Sequence, residues 1–253
     1  MTPVAFTSFT APVAPVLTGK TVLITGASRG LGRAIALDCA RHHANTLLLG
    51  RDVRRLEALA DEIEQIGAPP ATLIPFNLEG ATVEDYGTIS ALIGEQFQKL
   101  EGLVLNAAVL GELAAIENYD PLQWARVFQV NVHSQFLLVQ ACLPVLRRAD
   151  SSSVIFTSSG VGRQGRANWG AYAASKFALE GLMETLADEQ AGVSSVRVNS
   201  LNPGPMRTRM RALAFPAEDP GTLPDPAAIA PYYSYLLSEA SLGLHGQALT
   251  IPK

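Results

Sequence analysis

The chain has 253 residues, 48% of them hydrophobic, enough to bury one sizeable core, and a formal net charge of −4. A pI of about 5.6 and the lack of any long basic run give no electrostatic reason to expect nucleic acid as a partner. The two cysteines, Cys39 and Cys142, lie in apolar helical patterns and read as buried thiols in a reducing cytoplasm, and the four histidines (His42, His43, His133, His245) show no metal-ligand spacing.

Residues 1–18 are rich in Pro, Ala, Val and Thr and carry no charged side chain, so they read as a tail, loose or ordered on contact, and not as a secretory signal. No apolar run reaches the ~20 residues that span a bilayer, and the chain is expected to be soluble. Residues 19–253 read as one domain. Extended backbone from Thr21 to Thr25 leads into a glycine-rich turn, Gly26-Ala27-Ser28-Arg29-Gly30-Leu31-Gly32, and a helix from about Gly30 to His43. A strand over Thr46 to Leu49 ends at Gly50-Arg51-Asp52, and a charged helix follows to about Ile66. Pro69-Pro70 breaks the chain before a third strand, Thr72 to Phe76, and a helix from about Val83 to Leu100 precedes the strand Leu103 to Leu105. The fourth helix, about Pro121 to Arg147, contains Phe136-Leu137-Leu138-Val139 in succession. It is apolar all round and needs cover beyond the sheet, for which a second subunit is the natural candidate. Val154 to Ser159 reads as a buried strand that delivers hydroxyls at its carboxyl end. The next helix, about Ala171 to Glu189, carries Ala173, Ala174, Ala178 and Gly181, small enough for close helix approach. Strands Val196 to Leu201 and Gln247 to Ile251, separated by the proline-rich stretch Pro203 to Pro231, complete the chain. Apolar strands alternating with amphipathic helices predict a parallel sheet covered on both faces, with right-handed crossovers.

Chemistry concentrates at Tyr172-Ala-Ala-Ser-Lys176, where four residues of separation stack a phenol and an ammonium on one helix face. A free tyrosine titrates near pH ~10. Lowering it by roughly three units takes about 4 kcal/mol, which one unit charge ~4 Å away supplies at an effective dielectric of ~20. Thirteen residues before Tyr172 stands Ser159. With the glycine turn, Ser159, Tyr172 and Lys176 in this order, the sequence resembles the short-chain dehydrogenase/reductase family from about Gly19 to Thr250. The block from Phe156 through Phe177 resembles one branch of it, the YciK-type oxidoreductases.

The resemblance implies a single-domain Rossmann-like fold, a doubly wound parallel sheet flanked by helices, and hydride exchange between a nicotinamide and a carbonyl or secondary alcohol of a small molecule. Tyr172 would protonate the carbonyl oxygen, Lys176 would lower the tyrosine pKa and hold the nicotinamide ribose, Ser159 would polarise the carbonyl, and Asn131 would support a water chain to the lysine. Thr157 and Ser158 are rivals for the serine role, although strand alternation puts Ser158 on the opposite face from Ser159. The two helices after Pro121 and Ala171 would build a homodimer or homotetramer interface.

Glycines at 26, 30 and 32 let backbone approach a pyrophosphate at a helix N-terminus, with Ser28 and Leu31 in the same turn. Their spacing is G-x-x-x-G-x-G, distinct from G-x-G-x-x-G. Arg51 after the second strand and Arg29 in the turn favour the 2′-phosphate of NADP(H) over NAD(H). A one-residue change of register would instead bring Asp52 to the selecting position, unless it caps the following helix. Asn77-Leu78 replaces the acid that touches adenine, Asn106-Ala107-Ala108 stands where the family has Asn-Ala-Gly, and Pro203-Gly204 with Thr208 matches the segment beside the carboxamide. Arg163, Arg166, Trp169, Arg207, Arg209 and Arg211 suit an anionic or conjugated carbonyl substrate, or else bind the protein's own carboxylates or face water. Two other readings stay open: a 3-oxoacyl thioester reductase, and a non-catalytic NADP(H)-sensing regulatory or scaffold protein.

Overall fold

The computed structural model of the protein describes residues 3–7, 9–13 and 15–252. Met1, Thr2, Ser8 and Ala14 of the expected tail, and Lys253, lie outside the described residues. Eight strands form one sheet, all neighbours parallel: β1 (Val4–Ala5), β2 (Thr21–Thr25), β3 (Asn45–Gly50), β4 (Thr72–Pro75), β5 (Gly102–Leu105), β6 (Ser152–Thr157), β7 (Val196–Asn202) and β8 (Gln247–Thr250). Their spatial order is β1-β8-β7-β6-β5-β2-β3-β4. The inner strands β2, β5 and β6 are buried along their whole length, as expected where helices cover both faces.

Helices α1 (Gly30–Arg41), α2 (Val53–Gln65) and α8 (Pro226–Leu237) pack on one face, through Ile35, Leu59 and Tyr233 among others. Helices α3 (Val83–Gln96), α5 (Ser134–Leu146) and α6 (Gly170–Gln190) cover the other, through Ile93, Leu138 and Met183. A short helix, α7 (Arg209–Ala214), follows β7. The chain leaves β2 toward β3 and β4, then returns on the other side of β2 to form β5. That reversal opens a crevice at the carboxyl ends of β2 and β5, the place where open α/β sheets receive ligands.

One element differs from expectation. The predicted fourth helix is interrupted: α4 (Pro121–Phe128) passes through a π turn at Gln129–His133 before α5 begins. Such a widened turn marks functional positions in many helices, and Asn131 sits in it. The described part of the uncharged tail takes the ordered form of the two expected. Val4 and Ala5 pair with Leu249 and Thr250, Phe6 is buried, and Phe9 stacks on Tyr232 with ring centroids 3.7 Å apart.

Candidate active site

β6 ends at Thr157, and the chain turns immediately, so that Ser159 faces α6. The Ser159 hydroxyl lies close enough to the Tyr172 phenol to pull its pKa down, and the phenol is itself buried. One turn along α6, the Lys176 ammonium lies 5.6 Å from the centre of the Tyr172 ring and donates to the carbonyl of Thr157 at 2.7 Å. Gly162 closes the loop against α6: a Cβ there would lie 2.8 Å from Lys176 Cβ, so only hydrogen fits. Asn131 is fully buried and fixed by three bonds. Its amide donates to Val109 O (2.9 Å) and Ser175 Oγ (3.0 Å), and its carbonyl accepts from Val109 N (2.8 Å). Ser175 Oγ in turn donates to the Tyr172 carbonyl at 2.7 Å, so the π turn is tied to α6 at the tyrosine.

The electrostatics reverse one expectation. Burial pushes the Tyr172 phenol up to about 12, against the lowering pull of the Ser159 hydroxyl, and burial pulls the Lys176 ammonium down to about 8, against the field of Glu180. Loss of water around both groups outweighs the attraction of the cation for a phenolate. The tyrosine therefore keeps its proton at neutral pH and is set to donate it. It serves less readily as a base.

The crevice beside this group is shaped by glycine. Gly26 (φ +67°) and Gly30 (φ +54°) adopt left-handed backbone. A Cβ on Gly32 would sit 2.3 Å from the Gly26 carbonyl oxygen and 2.7 Å from Asn106 Nδ2. No side chain caps α1 and its first turn holds no acid, which leaves the N–H groups and positive end of the helix open to an anion. Asn106 locks the turn to β5: its amide donates to Thr25 O at 3.0 Å, and its N–H and that of Ala107 both reach Thr25 Oγ1 at 2.9 Å. Ser28 comes within van der Waals reach of Gly50 at the end of β3, and Thr208 stands over Gly30. The crevice thus has the open helix N-terminus and close backbone approach that suit a dinucleotide.

The sequence model of the short chain dehydrogenase family matches residues 20–219. The chain belongs to this family. This short chain dehydrogenase is 46% identical over 231 residues to YciK, an uncharacterized oxidoreductase of Escherichia coli K12, across 91% of this chain and 90% of YciK. Its structure superposes on a candidate short chain dehydrogenase from Pseudomonas syringae with TM-score 0.94 and 46% identity, over 96% of this chain and 98% of that one. Another from Escherichia coli CFT073, complexed with NADPH, gives TM-score 0.91 and 44% identity, over 95% and 98% of the two chains.

Within the short chain dehydrogenase, the residues singled out from sequence gather at the carboxyl ends of the strands. Gly26, Ser28, Arg29, Gly30, Leu31 and Gly32 follow β2, Arg51 follows β3, Asn77 and Leu78 follow β4, Asn106 follows β5, and Pro203, Gly204 and Thr208 follow β7. Arg29 is exposed and has no ion-pair partner among the described residues. Arg51 pairs with Glu79 at 2.9 Å, and Glu79 also holds Arg126. Asp52 accepts from Arg55 N and caps α2, the alternative weighed for it. The Asn77 carbonyl accepts from Glu79 N at 3.2 Å. The rival hydroxyls are engaged elsewhere: Thr157 Oγ1 meets Tyr233 Oη at 3.0 Å, and Ser158 Oγ donates to Glu180.

The arginines divide. Arg163 pairs with Glu180, Arg207 with Asp225, and Arg211 with Glu218, so these three bind the protein's own carboxylates. Arg166 has no carboxylate partner among the described residues. It lies over the rings of Trp169 (5.7 Å) and Phe215 (5.0 Å), and Trp169 meets Tyr172 edge-on at 5.9 Å. An aromatic wall with one free guanidinium thus borders the acid. Next to it, a cavity of about 290 Å³ opens along α7, lined by Thr208, Arg209, Phe215, Glu218 and Leu223 among others. Sequence reasoning passed over Thr25, Ser175 and Glu180. A serine inside Tyr-x-x-Ser-Lys and a carboxylate one turn past the lysine were the available signals.

Proposed function

We propose that the chain is an NADP(H)-dependent oxidoreductase that moves hydride between nicotinamide and a small carbonyl compound or secondary alcohol. The observation that carries this reading is the buried Tyr172 phenol, set beside Ser159 and one helical turn from Lys176 at the mouth of a glycine-shaped crevice. NADP(H) bound in that crevice would supply or accept the hydride. Ser159 would donate to the carbonyl oxygen and orient it, a contribution whose loss in comparable sites costs ~10²-fold or more. Tyr172, protonated at neutral pH, would pass its Oη proton to that oxygen as the carbon becomes saturated, leaving a phenolate that the neighbouring Lys176 ammonium stabilises until solvent restores the proton. Asn131 would hold the Val109 loop and α6 in register through Ser175.

Arg29, exposed and unpaired among the described residues at the turn, supports the 2′-phosphate and hence NADP(H), as does the NADPH bound to the Escherichia coli CFT073 relative. Phe136 on α5 and Phe177 on α6 are 44% and 46% exposed, which supports burial against a second copy and a dimer or tetramer. Two buried free thiols, Cys39 and Cys142, suit the cytoplasm. Among the described residues no helix is long and apolar enough to cross a membrane. The test is a calorimetric titration with NADPH and NADH, followed by a carbonyl-substrate screen under NADPH with Tyr172→Phe as control. NADPH binding at least tenfold tighter, with turnover abolished in Tyr172→Phe and binding kept, is the expected result. Binding of neither dinucleotide would overturn the reading, and NADPH binding without turnover of any carbonyl would favour the sensing role.

A further inference from the structure

Glu180 lies one helical turn beyond Lys176, is 9% exposed, and is held on both oxygens. Its Oε1 accepts from Ser158 Oγ and from Arg163 Nε at 3.1 Å, and its Oε2 accepts from Ser200 Oγ at 2.6 Å. Arg163 spends its other N–H groups on Thr250 Oγ1, on Leu249 O at 3.0 Å and on Ser200 Oγ at 3.3 Å. A buried ion pair is a weak source of stability, because the charges lose about as much hydration as they gain in attraction. Its place directly beneath the reacting side chains points to another role.

We propose that Glu180, clamped by Arg163, is a positioning residue: it is the counter-ion that keeps the buried Lys176 ammonium charged, and it pins the loop bearing Ser159 against α6. Among the described residues Lys176 has only a neutral acceptor, Thr157 O, and it is 2% exposed. The groups packed around it are Tyr172 and Glu180 on α6, Thr157 on β6, and the Ser159 to Arg163 loop whose Gly162 touches its Cβ. Two more act through intermediaries: Tyr233 of α8 through Thr157, and Asn131 of the π turn through Ser175. Glu180 is the anion in that set and Arg163 the other cation. Burial lowers the Lys176 pKa to about 8, and the carboxylate works in the opposite direction. Removing the carboxylate should therefore let Lys176 lose its proton more easily. Removing the guanidinium that offsets the carboxylate should make it hold the proton longer. A clamp that served only the fold would not move the lysine in opposite directions.

The chain has four lysines, Lys20, Lys99, Lys176 and Lys253, so side-chain ¹³C-lysine NMR on the full chain resolves each titration, with Lys176 assigned by its loss in Lys176→Arg. The expected midpoint for Lys176 is about 8 in the wild type. It should fall by about one pH unit, a tenfold change in the equilibrium, in Glu180→Gln, rise in Arg163→Gln, and stay near the wild-type value in the charge-keeping Glu180→Asp. The alkaline limb of the kcat pH profile should follow the same order. Shifts of one sign in the Gln variants, or no shift, would overturn the proposal, and if one of these variants fails to fold, the direction in the other decides. The inference rests on the proposed function only for its effect on turnover. Ordered NMR shifts with no reductase activity would sink the function and leave the counter-ion in place.

Discussion

A methyl group at residue 32 probes the cofactor crevice most directly. In Gly32→Ala the new carbon would sit 2.3 Å from the Gly26 carbonyl oxygen and 2.7 Å from Asn106 Nδ2, whereas ordinary contact begins at 3.4 Å. Relief needs a movement of about 1 Å in a turn packed as tightly as the rest of the interior, and neither neighbour is free to yield. Asn106 Nδ2 is bonded to Thr25 O at 3.0 Å, and Gly26 is held in left-handed backbone between β2 and α1. Forcing an extra carbon into a well-packed site costs about 1–3 kcal/mol. The displacement falls on the turn that would carry the pyrophosphate, so NADPH affinity should drop at least tenfold, or about 1.4 kcal/mol. Gly87→Ala is the control: it lies within α3, a Cβ there meets nothing within 4 Å, and alanine should stabilise the helix by about 0.5–1 kcal/mol. Thermal unfolding and calorimetric titration with NADPH measure both effects. If Gly32→Ala melts and binds NADPH like the wild type, the crevice has been misassigned.

Three further outcomes can be checked. Folding lowers Lys176 from 10.5 to about 8, so between those values this side chain binds more protons in the unfolded chain and its contribution to stability rises with pH, by about 3 kcal/mol over the whole interval. Below pH 8 the penalty is fully present. The opposite contribution from Tyr172, raised to about 12, begins only above pH 10. Buried Cys39 and Cys142, whose thiols are held above their ordinary value, lower stability above pH 9 in wild type and variant alike. In urea unfolding the wild type should therefore gain about 3 kcal/mol on Lys176→Met between pH 8 and 10.5, and an equal slope in both proteins would contradict the buried ammonium. Arg29→Ala should lose at least tenfold in NADPH affinity with NADH unaffected. Arg51→Ala should lose less, because that guanidinium is shared with Glu79. Parallel losses for both dinucleotides would remove the 2′-phosphate role. Arg166→Ala should raise KM about tenfold for a carboxylate-bearing carbonyl substrate, with kcat and NADPH binding nearly unchanged, and an unchanged KM would leave the free guanidinium without a substrate.

The doubly wound sheet was legible because its signals are local: apolar runs of strand length, glycine immediately after the first of them, and a phenol four residues from an ammonium. The candidate site residues were proposed from the order of these motifs. What escaped depends on contacts made far along the chain. Arg163 read as a lining for substrate or as a partner of the protein's own carboxylates, and the second holds: its partners are Glu180, Leu249 and Thr250, brought in by α6 and β8, and no spacing near residue 163 says which carboxylate it meets. The π turn at Gln129–His133 was hidden because the apolar pattern continues through it. The widening shows only in how Asn131 reaches Val109 and Ser175. The four-residue spacing of Tyr172 and Lys176 fixed their shared face but carried no measure of the water removed from around them, and that removal decides which group holds its proton.

The edge strand β1 has a consequence in time as well as in space. Val4 and Ala5 find their partners at Leu249 and Thr250, so the earliest of the paired segments to be synthesised is the last able to pair. During synthesis the segment must wait, uncharged and unpaired, until nearly the whole chain has emerged and β8 has docked on β7. Until it closes, the outer edge of β8 offers bare N–H and C=O groups to any extended chain that meets it. The β1–β8 seam can therefore close only after β8 has docked, and it is a place where a neighbouring molecule competes directly with the protein's own strand.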